Sequence, residues 1–163
     1  MRRVVAIHRK GAWPAADARG TVTLGFLDRH RRRVRLHGDD GTPFLLDLPR
    51  AVVLGADDGL ELEGGGYLAV RAAAEPLAEI ACRDGAQLAR IAWHLGNRHL
   101  PIEVAGARLR IRWDQVIVDM VAGLGAEVSR IDAPFDPEAG AYAEGGRSEH
   151  HHHHHDDDDG HAH

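Results

Sequence analysis

A chain of 163 residues, 44% of them hydrophobic, is long enough for one ordinary domain or two small ones with a buried core. No run approaches the roughly 18 apolar residues of a membrane span, the N-terminus lacks the apolar block of a secretory leader, and the lone Cys82 excludes an internal disulfide; a cytoplasmic setting and no membrane partner are expected. The formal charge of −5 lies in residues 143–163, which hold six acids and one base, so residues 1–142 balance at 19 acids and 19 bases and offer no general field for nucleic acid.

Residues 1–74 read as a small all-β domain. Short candidate strands at 4–8, 21–26, 33–36, 44–48, 60–63 and 67–72 are separated by Asp39-Asp40-Gly41, Asp57-Asp58-Gly59 and Gly64-Gly65-Gly66, which favour positive-φ turns. The basic run from Arg29 to Arg33, with His30 inside it, reads as a solvated hairpin edge kept charged against edge-to-edge pairing. A nucleic-acid or acidic-partner patch is the other use for such a run.

At Ala73-Ala74-Glu75-Pro76 the pattern changes to strand, helix, strand, strand, helix, strand over residues 75–142. A strand at 77–83, with Cys82 as a buried member, precedes a helix capped by Asp84 and apolar at Leu88, Ile91, Ala92 and Leu95. Strands at 102–104 and 108–113 follow. Asp114 then caps a helix carrying Val116, Ile117, Met120, Val121 and Leu124 and ended by Gly125, before a last strand at 127–131. This βαββαβ order predicts a ferredoxin-like fold, α+β overall, with both helices on one sheet face. The other face is expected to show Ile102, Val104, Leu109, Ile111, Val128 and Ile131, without the paired aromatics of an RNA-binding sheet.

The stretch His94-Leu95-Gly96-Asn97-Arg98-His99-Leu100-Pro101 is the best candidate for chemistry. Gly96 and Asn97 tolerate the left-handed conformation that ends a helix, and Pro101 forbids its continuation. His99 is therefore held by a rigid helix end yet left reachable, as a metal ligand must be. His94 reads as a packing residue, and His8, His30 and His37 as surface residues. Residues 143–163 form an acidic tail expected to be disordered, with His150, His151, His152, His153, His154, His155, His161 and His163 as further imidazoles. Six consecutive histidines look like a purification tag, but Asp156 to Asp159 and the closing Gly160-His161-Ala162-His163 serve no such purpose.

One fixed imidazole cannot hold an ion alone. Two copies meeting at a two-fold axis, supplemented from the tails, would make an exposed site that opens easily, which suits a carrier rather than a closed structural zinc site. Neutral imidazole suits nickel, copper and zinc, so an ion of that set (Ni2+, Zn2+ or Cu2+) is expected to bind, and affinity should fall as pH drops through about 6.5. No enzyme is expected. Gly64-Gly65-Gly66 lacks the helix and lysine of a phosphate loop, Ser129 has no nucleophile elbow, and Asp39-Asp40 and Asp57-Asp58 are turn residues.

The sequence resembles the UreE family of urease accessory proteins over essentially its whole length. The resemblance rests on the 94–99 stretch with Pro101, on Asp114-Gln115-Val116, and on Leu124-Gly125-Ala126-Glu127-Val128 with Ala133-Pro134-Phe135. Glu138, Gly140-Ala141-Tyr142 and the histidine-rich terminus complete it. It implies an N-terminal domain that binds peptides or partners, and a metal-binding domain that forms a homodimer through the His99 region. It also implies delivery of nickel to the urease activation complex through the GTPase UreG. Some members carry a His-x-His pair where this chain has Trp113 and Gln115, so that additional site is not expected. Storage or buffering of nickel by the same histidines is the alternative function.

Overall fold

The structure, a computed structural model, describes residues 1–138. The expected tail and its histidines, along with residues 139–142, lie outside the described residues.

Residues 2–72 form a curled six-stranded sheet. Its strands are β1 (Arg2–His8), β2 (Ala18–Leu24), β3 (His30–His37), β4 (Pro43–Val53), β5 (Gly59–Leu62) and β6 (Tyr67–Ala72), in the order β2-β6-β5-β1-β4-β3. Alternation of apolar and polar residues sets its inner face, where Val4, Val22, Leu46, Leu60 and Val70 are fully buried. The hairpins expected at 38–41 and 64–66 are present, but β1 pairs in parallel with β4 and β2 with β6. Across the curl, the Asp39 carboxylate accepts hydrogen bonds from the hydroxyls of Thr21 and Thr23 and from the Thr23 amide, tying the β3–β4 turn to β2. These donors hold the Asp39 carboxyl below the usual aspartate range, the Thr21 hydroxyl most of all. In the second expected turn the positive φ falls on Asp57 (65°) rather than on Gly59. Gly59 is small for a different reason, since a Cβ there would overlap the Trp13 ring.

The second sheet contains β7 (Ala74–Ala81), β8 (Glu103–Ala105), β9 (Arg108–Arg112) and β10 (Glu127–Pro134), all antiparallel, in the order β10-β7-β9-β8. That is the ferredoxin-like arrangement, with α1 (Gly85–Asn97) and α2 (Gln115–Gly123) as its crossovers. Both expected caps are in place. Asp84 accepts from the Gln87 amide, and Asp114 from the amides of Val116 and Ile117. Gly125 ends the α2 region at a φ of 91°. Cys82 lies one residue past β7, half-buried against the helices, not within a strand; its burial raises the thiol above its ordinary value.

The face assignment expected for this sheet needs correction. Leu109, Ile111 and Val128 pack with Ile80, Ile91, Leu95 and Val121 under the helices. The period of two in β9 then sends Arg108, Arg110 and Arg112 to the open face. There Glu79 receives Arg108 and Arg110, Glu103 also receives Arg110 at 3.2 Å, and Arg112 meets Glu75 at 3.3 Å. The open face is thus an interleaved ladder of opposite charges.

The run beginning at Arg29 also departs from expectation at its first residue. Arg29 is wholly buried, at the end of a 3-10 turn over Phe26–Arg29. Its guanidinium donates to the carbonyls of Leu54 and Phe135 and to Asp136 at 3.1 Å, and it lies over the Phe26 ring. Phe26 in turn stacks edge-on against Phe135, which is fully buried. Glu75 accepts from the Phe26 amide at 2.8 Å. Arg29 therefore clasps the two sheets together, while Arg31 to Arg33 behave as expected, along the edge strand β3.

Candidate metal centre

The α1 helix owes its register to the apolar stripe Leu88, Ile91, Ala92 and Leu95, which docks on the second sheet. It continues through Gly96 and Asn97, which stay helical, so neither is the left-handed stop expected from its residue type. The last turn closes instead through the Arg98 and His99 amides, which donate to the carbonyls of Leu95 and Gly96. The chain reverses one step later, on His99 itself, whose φ is 55°. A left-handed conformation costs a side-chain-bearing residue about 1–2 kcal/mol, although histidine is among the residues enriched there. Backbone strain of this kind gathers at functional sites, and here it falls on the candidate ligand.

His99 is exposed, as are Arg98 and Asn97 beside it. Leu100 and Pro101 then line a groove of about 170 Å³ with Trp113, Asp114 and Ile117. Two large apolar side chains of the helices are also open to solvent. Trp93 is 63% exposed and Val116, in the first turn of α2, is 71% exposed. Neither residue stands out in the sequence, because Val116 fits the apolar period of its helix. Trp93 could have been noticed by its absence from the Leu88–Ile91–Leu95 stripe.

His94 is half-buried and sits edge-to-face with Trp93, their ring centroids 4.9 Å apart, consistent with a packing role. His8 bonds Glu61 at 2.6 Å on the outer surface of the first sheet, and His30 and His37 are exposed at the two ends of β3. Trp113 lies beneath the Arg130 guanidinium at 4.9 Å, and Gln115 donates to Asp119, so both positions have other contacts. Among the described residues no three His, Cys, Asp or Glu side chains gather into a group able to hold an ion. His99 is thus an exposed donor that belongs to no such group among the described residues. The remaining candidates, His150 to His155, His161 and His163, lie outside the described residues.

Comparison with known proteins covers both sheets. Residues 2–73 match the model of the UreE urease accessory protein N-terminal domain, and residues 75–163 match that of its C-terminal domain. A urease accessory protein UreE of Beijerinckia indica subsp. indica is 49% identical over 152 residues, covering 92% of this chain and 86% of its own length. Proteins of the same name from Rhodopseudomonas palustris strain HaA2 and Bradyrhizobium sp. strain ORS 278 are 53% and 55% identical over 145 and 142 residues. These alignments cover 88% and 87% of this chain and 66% of each relative, so the chain spans just under two thirds of those two proteins.

Proposed function

The chain belongs to the UreE urease accessory protein family, and from that premise we propose that it is a nickel metallochaperone for urease maturation rather than an enzyme. In this reading it acts in the cytoplasm as a homodimer in which two copies of His99 meet across a two-fold axis and hold Ni2+ as cargo. Tail histidines from His150 to His155, with His161 and His163, complete or feed the site. The acceptor is the urease activation complex, reached through UreG. Residues 1–74 form the partner-binding domain, 75–142 the metal-binding and dimerising domain, and 143–163 the metal-binding tail.

One observation carries this reading. An exposed imidazole is fixed at a left-handed corner, and among the described residues it belongs to no group of three donors able to hold an ion. A second copy supplies both the missing donor and a cover for Trp93 and Val116. The site so formed has few ligands and an open side, which favours release. Copper binds nitrogen donors more tightly than nickel, so selectivity rests with metal supply and with the acceptor.

The test is a nickel titration of the full chain and of His99→Ala, with particle mass measured in parallel. We expect one tight ion per two chains in the wild type. His99→Ala should lose that ion and keep only weaker binding from the tail. Unchanged tight binding in His99→Ala, or a tight ion on a single chain, overturns the interface site.

A further inference from the structure

We propose that the acidic end of the chain, Asp156 to Asp159, docks on the basic edge strand β3 of the same chain. The proposal is independent of the nickel reading.

The receiving surface is β3 (His30–His37), an outer strand of the first sheet with one edge unpaired. Arg31, Arg32, Arg33 and Arg35 lie along it. Arg31 pairs with Asp28 at 2.9 Å and Arg33 approaches Asp47 at 3.6 Å. Arg32 and Arg35 are exposed and meet no carboxylate among the described residues. The pairing with β4 also breaks between Arg31 and Arg33, where their partners jump from Val52 to Asp47. Arg32 is therefore released from a regular ladder. Such a strand combines an open hydrogen-bonding edge with a row of guanidiniums, a surface suited to an extended acidic segment.

The occupant follows from charge and connectivity. Residues 1–142 balance, and the excess of acid lies beyond them, with four consecutive aspartates at 156–159. Near its described end the chain passes the start of β3, and the amide of its last described residue, Glu138, then donates to the Ile102 carbonyl at 2.8 Å. Asp136 is bonded to Arg29, the residue before His30, and the Asp136 amide donates to Glu103 at 2.9 Å. Seventeen residues separate Glu138 from Asp156, and the eighteen steps between them can reach at most about 60 Å, whereas the eight residues of β3 extend over roughly 26 Å. Each exposed ion pair is weak, at about 0–1 kcal/mol. Tethering supplies what they lack, because a short connection raises the local concentration of the segment to the millimolar range. The association should weaken as salt shortens the screening length below about 8 Å.

Zero-length carbodiimide coupling tests the contact in the metal-free full chain. Lys10 is the sole lysine, and its amine lies 2.9 Å from Asp57, which provides a built-in positive control. Arg32→Lys and Arg35→Lys place coupling groups on β3 with the charge kept. We expect peptides joining these positions to Asp156–Asp159, found within single chains when light and heavy protein are mixed, and reduced several-fold in 1 M salt. In wild-type residues 30–37, amide exchange should quicken several-fold when the four aspartates are changed to asparagine. Three results overturn the proposal: coupling of positions 32 and 35 only to carboxylates of residues 1–138 while the Lys10–Asp57 product forms; coupling only between chains; or β3 exchange unchanged by the asparagine substitutions.

Discussion

Arg29→Met tests whether the clasp between the two sheets is a stabilising element. Methionine keeps most of the length of the buried stem and removes the guanidinium, so little cavity is expected. The carbonyls of Leu54 and Phe135 lose their donor in a site where Arg29 and Phe135 are both fully buried. A buried acceptor left unsatisfied costs about 1–3 kcal/mol. The Asp136 side chain is 55% exposed and recovers its hydration, so its loss adds little. Against this stands the relief of desolvating a cation whose Nε has no partner among the described residues. The balance is a loss of about 2–4 kcal/mol, a large part of the roughly 5–15 kcal/mol that holds a domain. Urea unfolding followed by tryptophan fluorescence reads it, because Trp13 packs on the first sheet and Trp93 and Trp113 belong to the second. The substitution should lower the midpoint and separate the two sheets into distinct transitions. A shift of less than about 0.5 kcal/mol with a single transition refutes the clasp, since surface changes alone produce effects of that size.

At the corner, His99→Gly should be more stable than His99→Ala by about 1 kcal/mol in the same unfolding assay, because glycine adopts a φ of 55° without strain; equal stability argues against the left-handed backbone. Gly59→Ala should cost about 1–3 kcal/mol and shift the fluorescence of Trp13, since the new methyl group displaces the indole that donates to the Asp57 carbonyl. Glu79 gives a pH prediction. Its carboxyl is held below the ordinary glutamate value, first by the hydrogen bond from Arg110 and then by that from Arg108. The folded carboxyl thus ionises at lower pH than the unfolded one, so its stabilisation is complete above the unfolded value and lost as pH falls through the folded value. Glu79→Gln should flatten the acid limb of a stability–pH profile below about pH 4.3; an unchanged limb removes the ladder from the account.

The second half of the fold is legible because its signals are local. Asp84 and Asp114 announce their helices by residue type, and Gly125 marks the turn after α2. The alternation in β9 is equally plain, but a period of two identifies two faces without saying which is covered, so Leu109 and Ile111 are easily assigned to the wrong side. Pairing partners in the first sheet are less legible. Nothing in β1 or β4 as a short apolar strand specifies that they run parallel. Arg29 was hidden by its company: five consecutive basic or histidine residues, 29–33, look solvated, and its partners Leu54, Phe135 and Asp136 are distant in sequence. His99 is made a candidate by its place after a helix, not by the conformation it adopts. Gly96 and Asn97 are the residues suited to that role, yet the reversal falls two residues past Asn97.

The charge ladder across the second sheet is unequal in what it can lose. Arg108 and Arg110 share Glu79, and Arg110 has Glu103 in reserve. Replacing Arg108 leaves every remaining ion with a neighbour of opposite sign, whereas replacing Arg110 takes from Glu103 its cation among the described residues. Replacing Glu79 leaves two guanidiniums on alternate residues of one strand, about 7 Å apart, with one carboxylate between them. Under random mutation Arg108 is dispensable, and Glu79 and Arg110 together are the keystones of the row.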